Sequence, residues 1–303
     1  MSRFSDLRDG LITFGLFALL ILTLLTPLSL LTCWFLPLPF LLHTARRGGR
    51  SILFPIIACG IFILLAAAHP FFISLYIFSA VTGAVMGLIY RRTASTGTDV
   101  VLGGLLTSWI CLLLLVTVTA LFTDFFGQLQ SIWHEQWKET QRLAESIGAA
   151  GDLPSQNSVA RVLPGMLILF LLPFPLLNFA LGRRILIRQG FPGKYLPPFR
   201  DWRLPRPFFY FYFLSLLGFL FLNNGETDSI GLVFSNATAL LYILFLFQGW
   251  AFTAFLLHQN KRSGKWMILV VSLSFIPLIT LLLHLVGILD TGTKLRKRLK
   301  GKR

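Results

Sequence analysis

Catalysis needs acids, bases, nucleophiles or metal ligands within reach of one another, and this chain has few to offer. Its twelve carboxylates are Asp6, Asp9, Asp99, Asp124, Glu135, Glu139, Glu145, Asp152, Asp201, Glu226, Asp228 and Asp290. All fall in polar segments or at the ends of apolar ones. A carboxylate deep in lipid is costly enough that it ordinarily marks function, and none is placed there. That disfavours proton coupling through a buried acid, and it disfavours an intramembrane protease built on two facing aspartates. Cys33, Cys59 and Cys111 lie inside apolar stretches, with no Cys-x-x-Cys pair or Cys/His cluster. Neither a zinc site nor a disulfide framework is expected. No nucleophile–base set can be assigned to a common depth, and no Walker-type glycine–lysine loop is present. The expectation is a protein with no catalytic residue, metal or cofactor, and so not an enzyme.

What remains is a set of polar groups inside apolar stretches: Asn178, Asn236, Gln248 and His284, with His43 and His69 near the ends. An unpaired amide in hydrocarbon is costly, so Asn178 and Gln248 must find partners across helices. They read either as helix glue or as the polar contacts of a pocket for a small polar ligand. Asp290 opens the sequence Asp290-Thr291-Gly292-Thr293-Lys294 at a helix end. It reads as a cap, as an ion pair with the basic tail that contains Arg296, or as a functional acid. Gly83-x-x-x-Gly87, Gly103-Gly104 and Gly249 permit close helix approach. Arg183, Arg184, Arg188, Lys194, Arg200, Arg203 and Arg206 stand against a single Asp201. That loop sets orientation and contacts anionic lipid or a protein partner.

The elements that must position these groups are membrane helices. Hydrophobic residues make up 55% of the 303-residue chain, and the mean hydropathy is +0.74. Several apolar stretches reach the roughly 20 residues needed to cross a bilayer core. A net charge of +15 would suggest nucleic acid in a soluble protein. Here the basic residues cluster at segment ends, where orientation and headgroups account for them, and no nucleic acid is expected. The fold class expected is all-α, a polytopic transmembrane helical bundle of eight or nine membrane segments.

The chain divides into N-terminal membrane helices (1–122), a non-cytoplasmic amphipathic loop (123–160), a central membrane helix (161–182), a basic cytoplasmic loop (183–206), C-terminal membrane helices (207–290) and a basic tail (291–303). Leu11 to Leu42, broken by Pro27, Pro37 and Pro39, is either one kinked helix or two short or tilted ones turning near Pro27 or Cys33–Trp34. Trp133 and Trp137, mixed with charged residues, predict a short amphipathic helix on the interface. The last stretch, Trp266 to Leu289, sets a contradiction. A single crossing from Lys265 puts the tail outside, yet the tail carries Lys294, Arg296, Lys297, Arg298, Lys300, Lys302 and Arg303. Pro277 could break the stretch, but halves of about 11 residues, or about 16 Å of helix, are too short to span.

The pattern resembles the bacterial YybS-like family, also called DUF2232 membrane proteins. The resemblance runs through Leu41-Leu42 and Ala45-Arg46-Arg47-Gly48, Gly83-x-x-x-Gly87 before Tyr90-Arg91-Arg92, Pro173 to Asn178, Gln248-Gly249, and Gly287-Ile288-Leu289-Asp290 leading into Lys294-Leu295-Arg296-Lys297. It covers the chain from about Leu11 to Arg298. The family is distantly similar to the substrate-binding membrane subunits of energy-coupling-factor transporters. That likeness implies a transport component in the bacterial cytoplasmic (inner) membrane, multi-pass, binding a small polar substrate. No residue role comes with it, and the candidate contacts, Asn178, Asn236, Gln248 and His284, are read from the buried polar groups themselves. Separate ATPase and coupling subunits would supply the energy. The alternative is a structural or regulatory scaffold recruiting another membrane-complex protein, with membrane lipids as partners in either case.

Overall fold

The computed structural model describes residues 2–66, 70–146, 148, 159, 165–222, 229–293 and 295–300, and every regular element among them is a helix. His69, residues 223–228 and most of the Gly148–Ser158 segment lie outside the described residues. The helices are α1 (Ser2–Thr23), α2 (Ser29–Thr32), α3 (Leu38–Arg47), α4 (Leu53–Ala66), α5 (Pro70–Arg91), α6 (Gly97–Phe122), α7 (Phe125–Ser146), α8 (Pro173–Arg188), α9 (Pro207–Leu222), α10 (Ser229–Gln259), α11 (Trp266–Leu273), α12 (Pro277–Gly292) and α13 (Leu295–Lys300). Among the described residues, 4 spans are long and apolar enough to cross a membrane: Pro70–Arg91, Gly97–Phe122, Gly165–Arg188 and Ile230–Gln259. A fifth is the bent pair α11–α12. Arg50–Leu65 and Pro207–Phe221 are apolar but shorter. Leu19, Leu65, Leu113, Phe122, Phe221 and Phe275 are all more than half exposed. A water-soluble surface would not carry so many large apolar side chains.

The chain forms two compact units, Met1–Lys138 with Phe170–Leu196, and Glu139–Leu169 with Pro197–Arg303. One of the breaks between them falls inside the basic loop expected over 183–206, between Leu196 and Pro197.

In the first unit the opening apolar stretch is two segments that pass and return. Turns at Leu24, Leu25 and Thr26 end α1, just before Pro27. The chain then comes back through α2, a 3₁₀ turn (Cys33–Phe35) and α3. Asp9 meets Arg47 at 2.6 Å, Thr13 meets His43 at 3.2 Å, and the Phe17 and Phe40 rings lie 5.1 Å apart. As α1 runs forward its partners on α3 run backward, so the two are antiparallel. Phe17, Leu36, Phe40, Ile63 and Cys59 are fully buried where these helices meet α4 and α5.

Against α5, α3 runs parallel and very close. A Cβ on Gly83 would lie 2.9 Å from Phe40 Cβ and would overlap the Pro37 carbonyl. One on Gly87 would lie 2.7 Å from Thr44 Cβ. The Gly-x-x-x-Gly step thus seats a broken, proline-started helix directly on α5, and dispersion at close range holds it there. Gly104 does the same for α6, where a Cβ would meet Met86 Sδ at 2.7 Å and Pro175 at 2.9 Å. Gly103 faces Ile89.

At the basic end of this unit, the chain after α8 folds over the α5–α6 turn. Lys194 is 7% exposed and donates to the carbonyls of Arg92 and Ser95 and to Ser95 Oγ. Desolvation lowers its pKa from the ordinary lysine value, with the Asp99 charge opposing the shift. Tyr90 donates to the Pro192 carbonyl at 3.0 Å. These bonds satisfy carbonyls of the α5–α6 turn and of the chain after α8, and fasten the two together.

In the second unit α12 packs along α10 in the same direction. Tyr242 faces His284, Gln248 faces Asp290, and Gln259 bonds the Leu299 carbonyl at 2.7 Å. Two glycines set the approach. A Cβ on Gly287 would overlap the Phe245 carbonyl and lie 2.9 Å from Gly249 N, and one on Gly249 would lie 2.8 Å from the Leu283 carbonyl carbon. For α12 to run parallel to the helix before it, the chain must first turn back. It does so through α11 and a 113° bend ahead of Pro277. The break considered from sequence and set aside on length is therefore real. It returns the tail to the end where α10 finishes, beside Arg200 and Gln259.

The predicted amphipathic helix is longer than expected, Phe125–Ser146, with Trp133 and Trp137 at 5.9 Å between ring centroids and Leu129, Ile132 and Leu143 exposed.

Candidate functional site

A charged cluster buried at the end of a membrane helix is the feature that most needs explaining, and the second unit has one. Asp290 sits in the last turn of α12 with 0% exposure, and Arg296, after the helix has ended, is 8% exposed. Helix α12 closes at Gly292, and the short α13 begins at Leu295. That stop folds Arg296 back onto Asp290. Arg296 Nη2 donates to Oδ2 at 2.7 Å, and Nε lies 3.0 Å from both carboxylate oxygens. Gln248, from α10, donates to Oδ2. Each charge is further bound: Arg296 Nη1 donates to the Arg200 carbonyl at 2.7 Å, and its guanidinium lies 5.3 Å from the Phe255 ring centre.

The basic loop closes over the cluster. The Leu204 amide donates to Gln248 Oε1 at 3.0 Å, and Arg203 donates to the carbonyls of Asp290 (3.0 Å) and Thr293 (2.6 Å). Arg200 lies 3.4 Å from His258. A buried ion pair overcomes its desolvation only with this kind of multiple hydrogen bonding. The arrangement ties α10, α12, the 200–206 loop and the tail at one point. It presents no nucleophile and no open ligand position, so what it can do is hold these four segments in one geometry.

One turn and a half along α12, His284 is 3% exposed and stacks on Tyr242 with ring centroids 4.0 Å apart. Its Nδ1 lies 3.1 Å from the Tyr242 carbonyl, which can only accept, so Nδ1 carries the proton. Nε2 then accepts from the Tyr212 hydroxyl at 3.0 Å. Tyr212→Phe leaves that ring nitrogen buried and unpaired, and it should cost about 1–3 kcal/mol. The expected result is a lower thermal midpoint of the detergent-solubilised protein with helicity unchanged. An unshifted midpoint would mean that the hydroxyl contributes nothing.

The other residues singled out from sequence are distributed as follows. Asn236 lies in the second unit, half-buried, accepting from the Gly165 amide at 2.8 Å and donating to the Leu232 carbonyl at 2.9 Å. Asn178 lies in the first unit with 0% exposure and donates to the carbonyls of Trp34 (2.7 Å) and Phe174 (2.6 Å). Its Oδ1 is buried without a hydrogen-bond partner among the described residues. Gln248 and His284 thus share one helix pair, while Asn178 belongs to a different unit. Arg183 lies over the Tyr195 ring at 4.6 Å. Arg184, Arg188 and Arg206 are exposed. No group of three or more potential metal ligands occurs among the described residues.

Tyr212 and Gly287 carry weight here that sequence reading did not assign to them. The only available signal was that a buried histidine needs a partner and that a glycine faces a glycine across parallel helices.

Comparison with known proteins adds a family. A model described as a predicted membrane protein, DUF2232, matches residues 12–291. The chain is 23% identical to a Bacillus subtilis protein, "Uncharacterized protein YybS", across 99% of this chain and 100% of that one. No solved structure matches.

Proposed function

We propose, because this chain belongs to the DUF2232 family of predicted membrane proteins, that it is a multi-pass component of the bacterial cytoplasmic membrane. It has no motor of its own, binds a small polar substrate for transport and works through a cytoplasmic partner with ATPase or coupling activity. The observation that carries this reading is the Asp290–Arg296–Gln248 cluster, which links two membrane helices to a basic loop and a basic tail. A connection of that kind lets a partner bound to the loop or tail bias the packing of the helices, and the pair that makes it, Asp290 with Arg296, is buried at a helix end.

The topology proposed has eight crossings, made by α1, α2–α3, α4, α5, α6, α8, α9 and α10. The bent α11–α12 pair is a re-entrant ninth segment. The short elements are accommodated by tilt and local bilayer thinning. Both chain ends and every strongly basic turn then face the cytoplasm, in keeping with the positive-inside rule.

A scaffold without a substrate is the second reading. What favours it is that Asn178, Asn236, Gln248 and His284 direct polar atoms to protein groups. Native mass spectrometry of the full chain extracted in detergent from its own membrane separates the two. A bound small polar molecule, or an ATPase or coupling partner, is the expected result for the transport component. A co-purifying protein of another kind without a metabolite supports the scaffold. Bare protein sinks both.

A further inference from the structure

At the basic end of the first unit, a cavity of 240 Å³ opens between the ends of α3 and α5 and the chain that follows α8. It is lined by Ala45, Arg46, Tyr90, Arg91, Phe191 and Pro192. Three observations bear on what it takes. Arg46 Nε is buried without a hydrogen-bond partner among the described residues, and a buried donor left unpaired is costly unless a ligand satisfies it. Among the described residues Arg91 donates to one carbonyl, that of Arg46 at 3.4 Å. Neither arginine is in an ion pair among the described residues.

The acids that could neutralise them are engaged elsewhere. Asp9, whose field also reaches Arg46, contacts Arg47 at 2.6 Å, and Asp6 lies 3.5 Å from the same guanidinium. Asp99 closes the capping box with Thr96. Arg47 is thus the member of the pair Arg46–Arg47 that holds the ion pairs, and Arg46 has none among the described residues and stands beside Arg91.

The arginines themselves have a simple structural origin, since cations are favourable at the C-terminal ends of α3 and α5. That does not explain why two of them flank a cavity. The walls are held open by bonds that use neither. Tyr90 is fixed by its bond to the Pro192 carbonyl, and Lys194 anchors the same segment to the α5–α6 turn. Gly48, at φ 91°, passes beside Arg91, where a Cβ would lie 3.0 Å from Nη1. A side chain there would crowd the guanidinium.

We propose that this cavity is a binding site for a phosphate-class anion, held by the guanidinium groups of Arg46 and Arg91. The volume is below the roughly 300–1,000 Å³ of pockets that enclose a whole drug-sized ligand. It suits a headgroup or a small phosphate ester. Two arginines lining one cavity can supply the planar, bidentate donors that phosphate recognition uses. The two possible sources of that chemistry are the headgroup of an anionic phospholipid and a free phosphorylated small molecule. The inference does not depend on the transport reading, because it rests on different residues.

The test uses the full-length protein in zwitterionic nanodiscs and in detergent. In one arm, phosphatidylglycerol is titrated against phosphatidylcholine and the bound lipid is counted by native mass spectrometry. In the other, inorganic phosphate or glycerol 1-phosphate is added without anionic lipid and the thermal midpoint is followed. Wild type and Arg142→Gln, which removes an exposed arginine of α7 outside the cavity, should behave alike. Arg91→Gln changes an exposed side chain and should fold normally. It should weaken binding about tenfold, and the Arg46→Gln/Arg91→Gln double variant should weaken it further. Arg91→Lys should restore only part of the loss, because it keeps the charge without the fork. Selective retention of phosphatidylglycerol identifies a lipid headgroup site, and a midpoint shift with the phosphate probes identifies a soluble ligand. If Arg91→Gln binds both probes as wild type does, or if wild type binds neither, the proposal is wrong.

Discussion

Arg296→Ala is expected to destabilise the protein by about 3–5 kcal/mol, the cost of leaving a buried carboxylate without its counter-charge. Asp290 has 0% exposure and receives three of its hydrogen bonds from this one guanidinium. Once the arginine is gone, Gln248 is what still reaches the carboxylate oxygens among the described residues. The Arg200 carbonyl also loses its donor. The comparison that isolates the ion pair is the double variant Asp290→Leu/Arg296→Met. Removing both charges should recover a large part of the loss, since an apolar replacement of a buried pair is often close to neutral. Recovery will be incomplete, because Gln248 Nε2 keeps only the Trp202 carbonyl, at 3.5 Å. Thermal midpoints or denaturant midpoints in detergent measure all three proteins. A double variant no more stable than Arg296→Ala would show that the charges are not what holds the tail to α12.

Gly287→Ala should also be damaging, by less and for a different reason. The added methyl meets the carbonyl of Phe245, a backbone atom inside α10 that cannot rotate away. To make room, α10 and α12 must separate, and that move also loosens Gly249 against Leu283 and the His284 contacts above it. Overpacking of this kind costs about 1–3 kcal/mol, occasionally more. Gly15→Ala in α1 is the matched control, because a Cβ there meets nothing within 4 Å. Its sign should be opposite, a gain of about 0.5–1 kcal/mol from helix propensity. If the two substitutions shift the midpoint alike, close approach at Gly287 is not what sets the helix pair.

Much of the membrane character could be read before any coordinates. Long apolar stretches, acids confined to their ends and arginines gathered between them follow from the cost of placing charge and unpaired backbone in hydrocarbon, which acts residue by residue along the chain. Gly83 and Gly87 were also legible, because a four-residue spacing puts both on one helix face. Their partner was not. That the broken segment ending at Arg47 lies along α5 is decided by three-dimensional packing.

Asp290 shows the same division. Its position at a helix end beside a basic tail was visible, and an ion pair was one reading of it. The identity of Arg296, the part played by Gln248, and the closure of the loop by Leu204 and Arg203 were not. The contacts of Gln248, Leu204 and Arg203 join residues more than 40 positions apart. Arg296 is only 6 residues from Asp290, but nothing in local composition ranks one basic residue of the tail above the next. The direction of the last apolar stretch was misjudged on length alone. The sequence left the side of the tail open; that it lies beside the basic loop follows from the chain turning back by 113° before Pro277.

Sequence alone determined which residues prefer lipid and which prefer water, because transfer free energy is a property of each side chain in its stretch. Tertiary structure alone decided which buried polar groups answer one another, because a hydrogen bond or a glycine contact needs two surfaces brought within a few ångströms, and that distance is set by the whole packing.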